Sequence, residues 1–193
     1  MAAGQAPPSA EESIPGFKPE NERELALSRD ERVLRGLAWG KPRQGHPEGS
    51  VGAHVAEQLG TLEAWKLPEP LRSDLRFIAL VHDSLKREVK DWLPKTGENH
   101  HAMRARRLAE GYTDDERLLA TIEQHDRPYA IWRRMRRKGR LDEPAFEEML
   151  ARIPDGELFL RFVELDASSE AKNPEPIRWL REELERRGAA QRG

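Results

Sequence analysis

The sequence predicts an all-helical fold, because apolar residues recur at helical spacing and no segment of useful length alternates like a strand. Apolar residues make up 37% of the 193 residues and charged residues make up 35%. The apolar share lies below the usual range of about 45–50%. A hydrophobic core is still expected, because large apolar residues (Leu, Ile, Val, Phe and Trp) recur at helical spacing from about residue 50 onward. The length suits one domain with modest extensions, and we place a single helical domain over 21–187.

The two ends of the chain are predicted to lie outside this domain. Residues 1–20 combine prolines with small and acidic residues, a composition that buries little surface, so we expect a flexible lead-in. Residues 188–193 form a short tail. The first helix is predicted over 21–39, with Asn21 as the cap and Glu24 three residues later. The Gly/Pro-rich stretch 40–49 that follows predicts a loop.

The middle of the chain contains the clearest helical patterns. Ser50 can cap a helix whose apolar residues recur at intervals of three and four. A second helix is predicted at 71–83 and a loop at 88–99, since that stretch contains Pro94 and Gly97. Three further helices are expected at 100–110, 144–152 and 156–170. Another should begin at the capping box Thr113–Glu116 and end at Gln124, and the last should run from Asn173-Pro174 to 187.

Composition excludes several classes of protein. The net charge of −2 gives no global field toward nucleic acid or membrane. The longest clean apolar run, 77–81, is far shorter than the roughly 20 residues of a membrane span. With zero cysteines there is neither a disulfide framework nor a thiolate metal site. Since the N-terminus is not typical of a signal peptide, we expect a cytoplasmic protein without membrane contact.

All six histidines fall between His46 and His125, in a pattern typical of metal ligands. Four chemistry-bearing residues each follow apolar residues by three or four positions on separate predicted helices, namely His54, His82, His125 and Asp166. Asp83 directly follows His82. A carboxylate is costly to bury alone, and a dication offsets that cost. Imidazoles with carboxylates suit Mn, Fe, Co, Ni or Zn.

Two alternatives stay open for these residues. A single histidine on an apolar face is more often a hydrogen-bonded core residue than a ligand, and Asp166 could belong to a buried polar network. His100 and His101 both begin the next predicted helix, and the sequence favours His100 only slightly as the ligand. The identity and number of the ions, and the oligomeric state, are likewise undetermined by sequence.

These residues resemble the HD-domain metal-dependent phosphohydrolase family over roughly residues 45–170. The matching strings are Val51-Gly52-Ala53-His54-Val55, Leu80-Val81-His82-Asp83-Ser84-Leu85-Lys86 and the late helix ending in Asp166. The stretches around His100-His101 and His125 look like the extra histidines of the two-metal subset. The string from His46 to Val51 also looks like the HD portion of bacterial tRNA nucleotidyltransferases, and the whole set looks like the standalone HD hydrolases.

The resemblance implies an HD-domain-like helical bundle with a central metal site. The essential divalent ion would be held by His54, His82, Asp83 and Asp166. A second ion would be completed by His100 (or His101) and His125. The resemblance adds Mg to the candidate metals named above. The metal would polarise a phosphoryl oxygen and lower the pKa of a water that attacks phosphorus. Asp83 would bridge or lean around one cation, and Lys86 would reach a substrate phosphate, brace Asp83 or simply face solvent.

The basic segment 127–140 follows His125 and has Tyr129 and Trp132 interleaved. Its arginines, with Arg127 and Arg133 as candidate substrate contacts, could gather phosphates or a nucleic-acid backbone. The alternative is a solvated basic helix paired with the acidic segments 142–157 and 182–185. We therefore expect a phosphohydrolase for a small phosphorylated, nucleotide-like substrate. An enzyme acting on RNA ends, or a metal-binding module without catalysis, are the alternatives.

Overall fold

The structure is a computed structural model that describes residues 6–42, 49–168 and 172–190. The predicted all-helical fold class is confirmed over these ranges, where the only β-structure is an isolated bridge between Gly40 and Ser50. Most of the predicted loop 40–49, including His46, and the end of the predicted tail lie outside the described residues. No described helix combines the length and apolarity that a membrane span requires.

The helices are numbered in chain order. They are α1 (Ala10–Ser13), α2 (Glu22–Leu27), α3 (Glu31–Leu37), α4 (Val51–Trp65), α5 (Leu71–Val81), α6 (His101–Ala109), α7 (Glu116–Gln124), α8 (Arg127–Lys138), α9 (Glu143–Ala151), α10 (Gly156–Asp166) and α11 (Glu175–Ala190). A short 3₁₀ turn at Lys86–Glu88 leads into the predicted loop 88–99, and a second one at Gly97–Asn99 lies within that loop.

The N-terminal part differs from the sequence prediction in two places. The helix predicted over 21–39 is two helices, because the Asp30 carboxylate accepts the backbone N–H groups of Arg32 and Val33 and begins α3 there. Residues 10–17, predicted as part of a flexible segment, include α1 and the turn after it and pack on the core, with Ile14 only 1% exposed. The prolines around this segment do not prevent its few apolar side chains from reaching the core.

Two of the predicted helix caps are confirmed and one is wrong. The Asn21 and Ser50 side chains accept the N–H groups of Glu24 and Ala53, as predicted. The predicted cap at Thr113 is wrong, because Asp115 caps α7 by accepting the N–H of Arg117. The Thr113 hydroxyl instead accepts the N–H of Asp115, so both side chains order the same turn.

Helix α5 lies at the centre of the bundle and contacts α4, α7 and α10. Its residues 74–81 are all buried, which is expected of a helix covered on every side. Helix α10 joins two apolar clusters, since Phe162 belongs to the main core whereas Phe159 and Val163 pack with Ile131 and Phe146. The ends of α5, α7 and α10 thus meet where α10 crosses from one cluster to the other.

Close packing of α3 fixes the chain just after the His82-Asp83 pair. A Cβ atom added to Gly36 would lie 1.6 Å from the carbonyl oxygen of Ser84, so only glycine allows this approach. The backbone that follows Asp83 is therefore held directly by a helix from a distant part of the sequence.

We predict that Gly36→Ala lowers the free energy of unfolding by about 1–3 kcal/mol, which is the usual cost of overpacking a tight contact. Gly60→Ala is the matched control, because a Cβ at Gly60 meets nothing within 4 Å and should be neutral or stabilising. Urea denaturation followed by circular dichroism measures both variants. Equal stability of the two variants would contradict the close contact.

A second prediction concerns the ion pair that ties α2 to α5. Arg76 donates to both Glu24 oxygens at 2.8 and 2.9 Å, and both side chains are buried. Arg76→Met should cost about 3–5 kcal/mol, because the Glu24 carboxylate would stay buried without its partner. The exposed Arg107, which pairs with Glu110, serves as control, and Arg107→Met should cost less than about 1 kcal/mol in the same denaturation experiment.

Candidate metal centre

Two histidines are oriented by the same local device at the ends of two helices. His82 follows α5 and donates from Nδ1 to the carbonyl of Ala79 at 3.0 Å; His125 follows α7 and donates to the carbonyl of Ile122 at 2.8 Å. A neutral imidazole that donates from Nδ1 carries its lone pair on Nε2. Both rings also lie against Phe162, with centroids 5.1 and 6.2 Å away. Each histidine therefore presents Nε2 to the cluster, and this nitrogen carries the lone pair whenever the ring is neutral.

The first half of the cluster joins α4, α5 and α10. His54 Nε2 lies 2.8 Å from Asp166 Oδ1, and His82 Nε2 lies 3.5 Å from the same oxygen. His82 Nε2 is also 3.4 Å from Asp83 Oδ2. His54, His82 and Asp83 are buried and offer ligand atoms within 4.8 Å of one another. The structure thus brings together the four residues that the sequence predicts for one ion.

Asp83 also belongs to the second half of the cluster. Its Oδ1 lies 3.5 Å from His101 Nε2 and 3.7 Å from His125 Nε2. These two imidazole nitrogens are 3.4 Å apart. Asp83, His101 and His125 form a second group of candidate ligands within 4.8 Å of one another. One carboxylate therefore faces both groups, which suits the predicted bridging role.

The structure places His101, rather than the slightly preferred His100, beside Asp83 and His125. His100 instead caps α6, where its Nδ1 accepts the N–H of Ala102, so its neutral ring carries the proton on Nε2. That Nε2 lies 3.4 Å from Asp126 Oδ2. A further possible ligand group of His100, His101 and Asp126 is more exposed. A nitrogen that carries a proton cannot bind a cation, which argues against His100 as a ligand.

The charges in the cluster strongly favour ionised carboxylates. Burial raises the pKa of Asp83, but the Lys86 ammonium and His82 outweigh burial and hold that pKa well below its usual value. Asp166 behaves likewise beside Lys172, whose Nζ lies 3.1 Å from Oδ1. Burial lowers the pKa of His82, yet Asp83 and Asp166 raise it to about 9.

His101 has the opposite electrostatic environment. Burial, together with the charge of His125, lowers the pKa of His101 to about 3. The ring is therefore neutral at physiological pH, and neutral imidazole is the form that binds metals.

The polar atoms that lack partners fit a cation. Within the part of the chain that the structure describes, His82 Nε2 and Asp83 Oδ1 are buried polar atoms without a hydrogen bond. A buried polar atom without a partner is costly, and a divalent ion would satisfy both atoms at once. Nitrogen and carboxylate donors without thiolates suit first-row dications and an open coordination sphere. The residues present therefore fit one or two such ions.

Comparison of the chain with protein-family models, with curated proteins and with solved structures finds no match. The resemblance to HD-domain enzymes therefore stays a prediction from the quoted motifs. The geometry above stands independently of it.

A cavity of about 540 Å³ opens over the cluster. Its lining combines residues of the cluster with side chains of α8, of the end of α10, and of α11 and the residues before it: Asp83, Lys86, His101, His125, Asp126, Tyr129, Val163, Asp166, Ala167, Lys172, Asn173, Pro176 and Ile177. Lys86, one of the predicted substrate contacts, lines this cavity. Arg127 and Arg133, the other predicted contacts, are not among the lining residues.

Three residues at the site were missed by the sequence analysis. Gln58 donates to Asp166 Oδ1 at 3.1 Å and lies 3.0 Å from His54 Nε2. Its position one turn after His54 on an apolar face could have indicated it. Lys172 and Asn173 precede α11 in a segment without periodicity, so no sequence signal pointed to them.

We predict that His101→Ala lowers the affinity for Mn²⁺ by at least about 100-fold. Loss of a residue that only supports a metal ligand costs up to about 100-fold, and loss of a ligand itself should cost at least as much. His100→Ala, the matched neighbouring substitution, should retain affinity within about tenfold. Isothermal titration of the metal-stripped protein measures both variants, and circular dichroism verifies their folding. The reverse order of affinities would contradict the assignment of His101.

Proposed function

We propose that this protein is a metal-dependent phosphohydrolase that cleaves a phosphoester or phosphoanhydride of a nucleotide-like substrate. One observation carries the proposal: the Asp83 carboxylate lines a cavity of about 540 Å³ and faces two groups of imidazoles, of which His101 and His125 also line that cavity. The motif resemblance to HD-domain phosphohydrolases supports the same chemistry. A volume of this size lies within the range of small-ligand sites, about 300–1,000 Å³.

The ligand set of the proposed enzyme would comprise His54, His82, Asp83 and Asp166 for one ion, and Asp83, His101 and His125 for a second. When bound, such a divalent ion polarises a phosphoryl oxygen and lowers the pKa of a water molecule. Asp83 bridges the groups and keeps their spacing. Gln58 and the carbonyls of Ala79 and Ile122 hold the ligands in orientation.

Two lysines give the cavity the charge that a phosphate requires. Lys86 pairs with Asp83, and Lys172 pairs with Asp166, and both line the cavity. An ammonium group beside a carboxylate ligand can turn toward a substrate phosphate when a dication takes over the charge balance of that carboxylate. Lys86 and Lys172 therefore bind and orient the phosphate in the proposed reaction, and Lys86 also keeps Asp83 ionised.

The remaining wall of the cavity is less polar. Val163, Ala167, Pro176 and Ile177 come from the end of α10 and the start of α11. Apolar side chains reduce the number of waters around the reacting phosphate, which strengthens the electrostatic interactions inside. They also suit the non-phosphate part of an organic phosphoester.

We predict that Asp83→Ala abolishes both bound metal and hydrolysis, because both ligand groups lose their shared carboxylate. Elemental analysis of the purified protein measures the first effect. Turnover of a panel of nucleotides, cyclic nucleotides and phosphodiesters with Mn, Mg, Co or Ni measures the second.

Asp126→Ala is the matched control for this prediction. Asp126 also follows a histidine at the end of a helix but lies outside both groups around Asp83. This variant should retain its metal content. Activity like that of the wild type in the Asp83 variant would disprove the mechanism, whereas full metal without turnover of any phosphoester would favour a non-catalytic metal-binding module.

A further inference from the structure

One face of α8 carries two aromatic side chains followed by two arginines. Tyr129, Trp132, Arg133 and Arg136 occupy positions i, i+3, i+4 and i+7, which share one side of a helix. The two rings are stacked with centroids 6.1 Å apart and planes 20° apart. The Arg133 guanidinium lies 5.6 Å from the Tyr129 ring, and that of Arg136 lies 5.8 Å from the Trp132 ring. We call these four residues the α8 stripe.

The basic side chains around this stripe are largely unpaired. Arg127 pairs with Glu148 and Arg134 pairs with Asp142, as expected of a solvated basic helix. Five other exposed cations of the segment form no salt bridge among the described residues, although Lys138 still acts on Asp142 through its charge: Arg133, Arg136, Arg137, Lys138 and Arg140. Pairing with the acidic segments therefore accounts for only two of its basic side chains, and a positive surface is left over.

The stripe begins at the candidate active site. Tyr129 is 50% exposed and lines the same cavity as Asp83 and Lys86. From Tyr129 to Arg136 the helix rises about 10 Å, at 1.5 Å per residue. A ligand that follows the stripe would therefore extend from the cavity over the outer surface of α8.

We propose that the α8 stripe binds single-stranded nucleic acid and delivers a terminal phosphate of the strand to the cavity. Tyr129 is exposed and Trp132 is half-buried, and accessible rings stack with unpaired bases, whereas a duplex hides its bases. Unpaired arginines along the same face neutralise backbone phosphates. A mononucleotide would contact Tyr129 but leave Trp132, Arg136 and the cations beyond them unused. The delivery step rests on the proposed function, because it names the substrate class of that same cavity, but binding to the stripe does not.

Binding is tested with a 5′-phosphorylated oligouridylate of eight nucleotides that carries a fluorophore at its 3′ end. Fluorescence anisotropy is measured in chelator, so no turnover takes place. Arg133→Gln with Arg136→Gln should weaken binding about tenfold and reduce the salt slope by about 1.4, at about 0.7 per lost phosphate contact. Tyr129→Ala should weaken binding about tenfold, and Tyr129→Phe should restore most of it, because a phenyl ring also stacks.

The matched control is Arg107→Gln with Arg181→Gln, which removes the same charge from exposed, ion-paired sites elsewhere. These two substitutions should leave the affinity within about twofold. Three results would each overturn the inference: equal weakening in the control, equal affinity for a duplex of the same length, or competition by a mononucleotide as strong as by the unlabelled octamer. If binding follows the stripe but no phosphoester is hydrolysed, the proposed function fails and the binding surface stands.

Discussion

Burial of the Asp83 carboxylate is the constraint on which the rest of the structure depends. A lone ionised carboxylate in an apolar bundle would be strongly destabilising. Here the cations and imidazoles of four separate elements surround it, and the charges of Lys86 and His82 keep it ionised. The same arrangement is what makes the centre suited to a dication. Stability of the fold and chemistry of the site are therefore set by one group of contacts.

The backbone around this carboxylate is held as firmly as its charge. Helix α3 touches the chain directly after Asp83 through Gly36, and the imidazoles rest on Phe162 of α10. At the ends of α5 and α7, the carbonyls that a helix leaves unpaired become the partners of His82 and His125. A helix end thus supplies both the position and the tautomer of a ligand, and it does so at both His82 and His125.

Sequence patterns predicted the helices well where apolar spacing was regular, as at α4 and α5. They failed where one polar side chain decided the boundary. Asp30 divides the predicted first helix, and Asp115 rather than Thr113 caps α7, because several side chains near a helix start can each accept the same N–H groups. The prediction of a flexible segment was wrong at residues 10–17 for another reason. A few apolar side chains there, such as Ile14, pack on the core, and local composition does not reveal that contact.

The sequence by itself determined the helical class and the residues with the chemistry for a metal site, since periodicity records which side chains face inward. Only the tertiary structure decided between His100 and His101, because neighbouring positions differ by about 100° around a helix and a one-residue shift in its start exchanges them. Only the tertiary structure also brought Lys172 to Asp166 and Tyr129 to the cavity. Such contacts depend on how α8, α10 and α11 pack against one another, and no local pattern encodes that packing.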